Sequence, residues 1–105
     1  MISRLTRKAI TTLGILIRTA RRERTFSQAA LAERVGVTRQ TIIAIEKGDP
    51  NVSIGTLFEA AYILGIPLFS EDSQQLSKWQ NVLTEFSALL PKKTRQKKQR
   101  VSDDF

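Results

Sequence analysis

Phe26–Gly48 reads FSQAALAERVGVTRQTIIAIEKG, the pattern of two short helices joined by a tight turn. Ser27 stands as an N-cap, its hydroxyl able to accept from first-turn N–H groups, and the helix over Gln28–Val35 puts Leu31 and Val35 on one face. Gly36 ends that helix, because glycine takes the left-handed backbone that a reversal of direction needs. Val37 fills the elbow, and Thr38 caps the second helix, Arg39–Lys47. Ile42 and Ile45 face inward there, leaving Arg39, Gln40, Ile43, Ala44 and Lys47 on the other side. Gly48 closes the unit. Such a hairpin suits placing one helix against something long and regular, although capped helices separated by a glycine also occur in folds with no such task.

The residues are more specific than the spacing. The order Q-x-x-L-A-x-x-x-G-V-[ST]-x-x-T-I-x-x-I-E-x-G resembles the helix-turn-helix of the Cro/C1 (Xre-type) repressors, and the likeness runs from about Leu13 to Leu68. It implies an all-α, five-helix, lambda-repressor-like DNA-binding domain with its second hairpin helix in the major groove. Carried over by position, Arg39, Gln40, Ile43 and Ala44 fall where bases are read. Arg is bidentate to guanine, Gln to adenine, and Ala suits a thymine methyl, whereas Ile43 departs from the polar residue often found at its position. Gln28, Thr38 and Lys47 fall at phosphate positions, as do Asn51 and Ser53 in the loop and helix start that follow. The resemblance also pairs an Arg of the first helix with the Glu near the end of the reading helix, here Arg21 and Glu46. A buried carboxylate needs such a partner.

Composition agrees with a polyanionic partner but does not choose it. The 105 residues carry a net charge of +7, which favours nucleic acid first and an anionic membrane surface second. Residues 1–91 contribute +3, and residues 92–105 alone contribute +4. With no cysteine and no histidine, neither a disulfide scaffold nor a thiolate metal site is available, and no pair of carboxylates, lysines or Tyr62 forms a recognisable acid–base arrangement. We therefore expect no enzyme, no cofactor and no metal. The opening resembles a signal peptide only superficially: Thr11, Thr12 and Gly14 interrupt its apolar run, and RRER stands where a small-residue cleavage site would be. No segment reaches the length of a membrane span. The resemblance implies a cytoplasmic bacterial protein, associated with the nucleoid through DNA binding.

Helical periodicity predicts a first helix over about Thr6–Arg24, with Ile10, Leu13, Ile17 and Ala20 on one face. Asp49-Pro50-Asn51 reads as a loop, and Ser53 caps a fourth helix whose buried stripe is Leu57, Ala60, Ala61 and Leu64. The expected single core adds Leu13, Ile17, Leu31, Val35, Val37, Ile42 and Ile45. A fifth helix over about 73–90 completes a domain of residues 1–90. In it Leu76, Trp79, Leu83, Phe86 and Leu90 recur at spacings of 3 and 4, a seam of coiled-coil type. Burial on its own domain, on a second copy, or on another protein would each satisfy that seam; its aromatic residues favour a dimer or partner interface. Residues 91–105 read as a basic, disordered tail.

Two further stretches narrow the resemblance. GDPNVSIGTL (Gly48–Leu57), and LLPKK (Leu89–Lys93) leading through basic residues to a terminal DDF, look like HipB-type antitoxins encoded beside HipA-like kinase toxins. That likeness implies a homodimer which represses its own operon at a near-palindromic operator in double-stranded DNA and holds the toxin, with Phe105 a terminal anchor for a partner pocket. A stand-alone dimeric repressor of a phage or mobile element, and a protein-binding inhibitor with a residual helix-turn-helix, are the alternatives.

Overall fold

Ser3, Ser27, Thr38 and Ser53 each stand one residue ahead of a helix, and each hydroxyl accepts from a backbone N–H three residues on, at 3.1, 3.0, 3.3 and 3.3 Å. These caps set where the first four helices begin. The computed structural model describes residues 1–68 and 72–91. It contains α1 (Arg4–Glu23), α2 (Gln28–Val35), α3 (Arg39–Lys47), α4 (Ile54–Ile63) and α5 (Ser73–Leu89), with no strand among the described residues. α1 starts two residues earlier than periodicity places it, because Ser3 caps it. Asp72 caps α5 through an acceptor bond from the Gln74 N–H at 2.9 Å.

The turn between α2 and α3 is made by Gly36, whose φ of 85° lies in the left-handed region. Thr25 holds a positive φ of 58° between α1 and α2, which sequence reading did not anticipate at a β-branched residue. Ile17, Leu31 and Ile42, one from each of the first three helices, are fully buried and form a cluster with Ala32, Ile45, Ala60 and Leu64. Leu13, Val35, Val37 and Leu57, expected inside, are half-buried and pack against that cluster. Ala60 and Ala61 are buried as expected, and Ala32, which the sequence reading did not single out, is buried with them.

α1 crosses α3 at backbone contact. A Cβ on Gly14 would collide with the Ile45 carbonyl oxygen and stand 3.0 Å from that of Glu46. Two turns further along the same face of α1 lies Arg21, so this close crossing is what lets an α1 side chain reach the end of α3.

The chain divides into two compact units, Met1–Phe69 and Ser70–Phe105. α5, which the sequence reading counts in a domain of residues 1–90, falls in the second unit. The physical reason is that the core is drawn from α1 to α4, whereas α5 has no buried residue. Leu76, Trp79, Leu83 and Phe86 of α5 are all exposed. The basic tail beyond Pro91, with Asp103, Asp104 and Phe105, lies outside the described residues.

Candidate nucleic-acid interface

The position of α3 is set by one buried ionic cluster. Arg21 Nε donates to Glu46 Oε2 at 2.6 Å and Nη2 donates to Oε1 at 3.1 Å, a bidentate pair with side-chain exposures of 9% and 4%. Arg21 Nη1 also donates to the Phe26 carbonyl at 2.8 Å, tying the α1–α2 connection to the same group. Gln28 Nε2 donates to Glu46 Oε1 at 3.2 Å. One carboxylate on α3 is thus held from α1 and from the first residue of α2. Among the described residues no buried side-chain polar atom lacks a partner. The Arg34 guanidinium lies 5.2 Å from the centroid of the Phe26 ring, a cation–π contact that steadies the entry to α2.

Held in this way, α3 presents its N-terminal turn to solvent. Arg39 and Gln40 are exposed, Ile43 and Ala44 are half-buried, and Lys47 is exposed at the C-terminal end, where its charge suits the helix dipole. Thr38 is exposed but occupied as the cap, its hydroxyl also 3.1 Å from Thr41 Oγ1.

Two clefts flank this turn. The first, of about 530 Å³, is lined by Arg21, Arg22, Ser27, Gln28, Ala29 and Arg39. It combines arginine side chains with the start of α2, where the Gln28 and Ala29 N–H groups have no intrahelical acceptor. The second, of about 440 Å³, is bounded by Gln40, Thr41 and Ala44 on one side and Asn51 and Ser53 on the other. Arg39 therefore opens on one cleft and Gln40 on the other. Asn51 is exposed, its N–H donating to Asp49 Oδ1 at 2.9 Å in a small turn that shapes the loop. Ser53 donates to Thr56 Oγ1 at 2.8 Å while capping α4. Its hydroxyl serves the helix, and the first-turn N–H groups of α4 remain as anion donors.

Most residues singled out from the sequence thus line the two clefts beside the start of α3: Gln28 and Arg39 one cleft, Gln40, Ala44, Asn51 and Ser53 the other. Gln28 has a further role, since its amide donates to Glu46. Arg22, which the sequence reading did not single out, lines the first cleft beside Arg39. Its only sequence signal was adjacency to Arg21. The surfaces combine cationic side chains and unpaired N–H donors, a combination suited to phosphate oxygens on either side of an inserted helix. Among the described residues no cluster of carboxylates could hold a metal ion, and no helix is long and apolar enough to cross a membrane.

Comparison with known proteins agrees on the same segment. Residues 17–69 match the family described as helix-turn-helix. An uncharacterized HTH-type transcriptional regulator of Methanothermobacter thermautotrophicus is 54% identical over 50 residues, which span 48% of this chain and 72% of that protein. A second uncharacterized HTH-type transcriptional regulator, from Methanocaldococcus jannaschii, is 45% identical over 42 residues, 40% of this chain and 64% of the relative. The family match ends before α5 begins.

Proposed function

The chain belongs to the helix-turn-helix family, Xre/Cro-C1 type, and on that premise we propose that it is a transcription repressor which binds duplex DNA through α3. The observation that carries this reading is the exposed pair Arg39 and Gln40, each facing its own cleft, at the start of a helix locked in place by the Arg21–Glu46–Gln28 cluster. In use, α3 enters the major groove with these two side chains on base edges, while the starts of α2 and α4, with Asn51 and Lys47, hold phosphates on either side. No catalytic step is assigned to any residue. The test is enrichment of binding sites from a random duplex library, followed by anisotropy titration at physiological salt. A selected site should bind roughly 10³-fold or more tighter than a scrambled one. Equal affinity for both refutes the reading.

The same proposal extends to a cytoplasmic homodimer that acts as antitoxin and autoregulator beside a HipA-like kinase toxin. Its support is the GDPNVSIGTL run, the LLPKK-to-DDF ending, and the exposed α5 seam, which offers a protein partner an apolar face outside the DNA-reading unit. Co-purification of the whole chain with the product of the adjacent gene tests it. Recovery of a kinase-like partner, reduced when the chain is ended at Gln99, is the expected result. No recovery with either form leaves a stand-alone repressor.

A further inference from the structure

Positive charge in this chain is concentrated in two places. Residues 1–24 hold seven of the 17 basic side chains against the single carboxylate Glu23, whereas residues 25–91 hold four basic and seven acidic ones. The second concentration, the tail, lies outside the described residues. Within α1, Arg21 is committed to Glu46, and Arg4, Arg7, Lys8, Arg18 and Arg22 are exposed. Among the described residues none of these five pairs with a carboxylate. At about 100° per residue they fall within an arc of about 100°, with Thr11 and Ile15 filling the middle of the row. The row is about 27 Å long from Arg4 to Arg22, the axial length of about 8 base pairs of duplex.

This arrangement is unfavourable for the helix itself. Arg4–Lys8 and Arg18–Arg22 are like charges one turn apart, which repel. Arg4, Arg7 and Lys8 also crowd the positive end of the α1 dipole, and the first turn has no acidic residue to offset them. Helix stability therefore does not account for the row, whereas a line of phosphates would relieve every one of these repulsions. At its C-terminal end the row runs into the cleft that Arg22 shares with Arg39 and the start of α2. At its N-terminal end it extends beyond the family match, which begins at residue 17.

We propose that this face of α1 is a second DNA contact, which holds the phosphate backbone of duplex flanking the sequence read by α3 and reads no bases. The inference rests on the proposed DNA binding and adds to it a longer, sequence-independent footprint. An anionic lipid surface would match the charge, but only the cleft at Arg22 and Arg39 joins the row to a built surface, and that surface suits nucleic acid.

The experiment compares the wild-type chain with the triple variant Arg4→Gln, Arg7→Gln, Lys8→Gln on a duplex of about 40 base pairs carrying a library-selected site, titrated by anisotropy at several salt concentrations. The plot of log affinity against log salt should lose about 2 to 3 units of slope in the triple variant, with roughly 10- to 100-fold weaker binding near physiological salt. Arg18→Gln should lose about one unit of slope, and Arg4→Lys with Arg7→Lys should keep the wild-type slope. The preference for selected over scrambled sequence should be retained throughout, and circular dichroism should show an unchanged helix content. Unchanged slope and affinity in the triple variant and in Arg18→Gln overturn the inference. So does a triple variant that keeps its DNA binding but loses binding to phosphatidylcholine–phosphatidylserine vesicles. A wild-type chain with no sequence preference refutes the proposed function instead, which keeps the two failures distinct.

Discussion

Glu46 is a carboxylate with 4% of its side chain exposed, tolerated because Arg21 meets both its oxygens and Gln28 adds a third donor. Removing one member of a buried pair leaves the other as an uncompensated charge, so Glu46→Ala should lower the unfolding free energy by about 3 to 5 kcal/mol. The double change Arg21→Met with Glu46→Leu should cost less than either truncation alone, because it removes both charges at similar volume. Urea denaturation of the three variants checks this, and a double variant less stable than Glu46→Ala would refute it. On the exposed side of the same helix the expectation concerns binding. Arg39→Ala should lose about 1 to 3 kcal/mol of discrimination at one base pair, whereas Lys47→Ala should weaken all sequences alike and flatten the salt dependence by about one unit. Titration against single-base variants of a selected site separates the two. At this scale the exposure of Arg39 and Gln40 and the role of each cap were legible, because both follow from a residue's offset in one helix. It was not legible for Arg22 or for the second role of Gln28, because both depend on how the end of α1 meets the start of α2 and the end of α3.

Among elements, the crossing of α1 over α3 depends on a missing side chain. Gly14→Ala would improve helix propensity by about 1 kcal/mol, yet its Cβ would strike the Ile45 carbonyl oxygen, a backbone atom with no rotamer to yield. Overpacking of that kind costs about 1 to 3 kcal/mol, so the net change should be neutral to destabilising rather than the gain that propensity alone implies. A thermal midpoint above wild type would show that α1 and α3 separate more easily than their packing indicates. Nothing in the sequence marked Gly14, since a glycine inside an amphipathic helix reads the same whether its neighbour is backbone or solvent. The caps, by contrast, were readable to within two residues, because Ser27, Thr38 and Ser53 act on N–H groups a single turn away. α5 shows the limit of periodicity. Its 3-and-4 spacing is equally satisfied by its own core, a second copy or another protein, and the large apolar area of Trp79 and Phe86 is what favours the second. Trp79→Ser with Phe86→Ser should therefore leave the helix-turn-helix unit folded and convert a dimer to a monomer by sedimentation. A double variant that remains dimeric would assign dimerisation elsewhere.

At the scale of the whole molecule, one reading helix is too little. α3 offers Arg39 and Gln40 on exposed positions and only a few further side chains beside them, while a genome presents roughly 10⁶ to 10⁹ competing sites. In the proposed homodimer two copies related by a two-fold axis would read two half-sites, which would make the operator nearly palindromic and fix the half-site separation at about 34 to 36 Å or a multiple of it. The consequence is a phase dependence that a monomeric binder lacks. Inserting about 5 base pairs between the half-sites turns the second by about half a helical turn, to the face of the duplex that the second copy cannot reach. Affinity should then fall toward that of a single half-site, a loss of about two orders of magnitude or more if the second half-site supplies at least about 2.7 kcal/mol. The α5 variant supplies the internal control. With Trp79 and Phe86 replaced, binding should already be weak and should no longer respond to the insertion, because the two reading heads are no longer joined. If the wild-type chain binds the inserted operator as tightly as the original, each copy binds alone, and the seam of α5 does not join two reading heads.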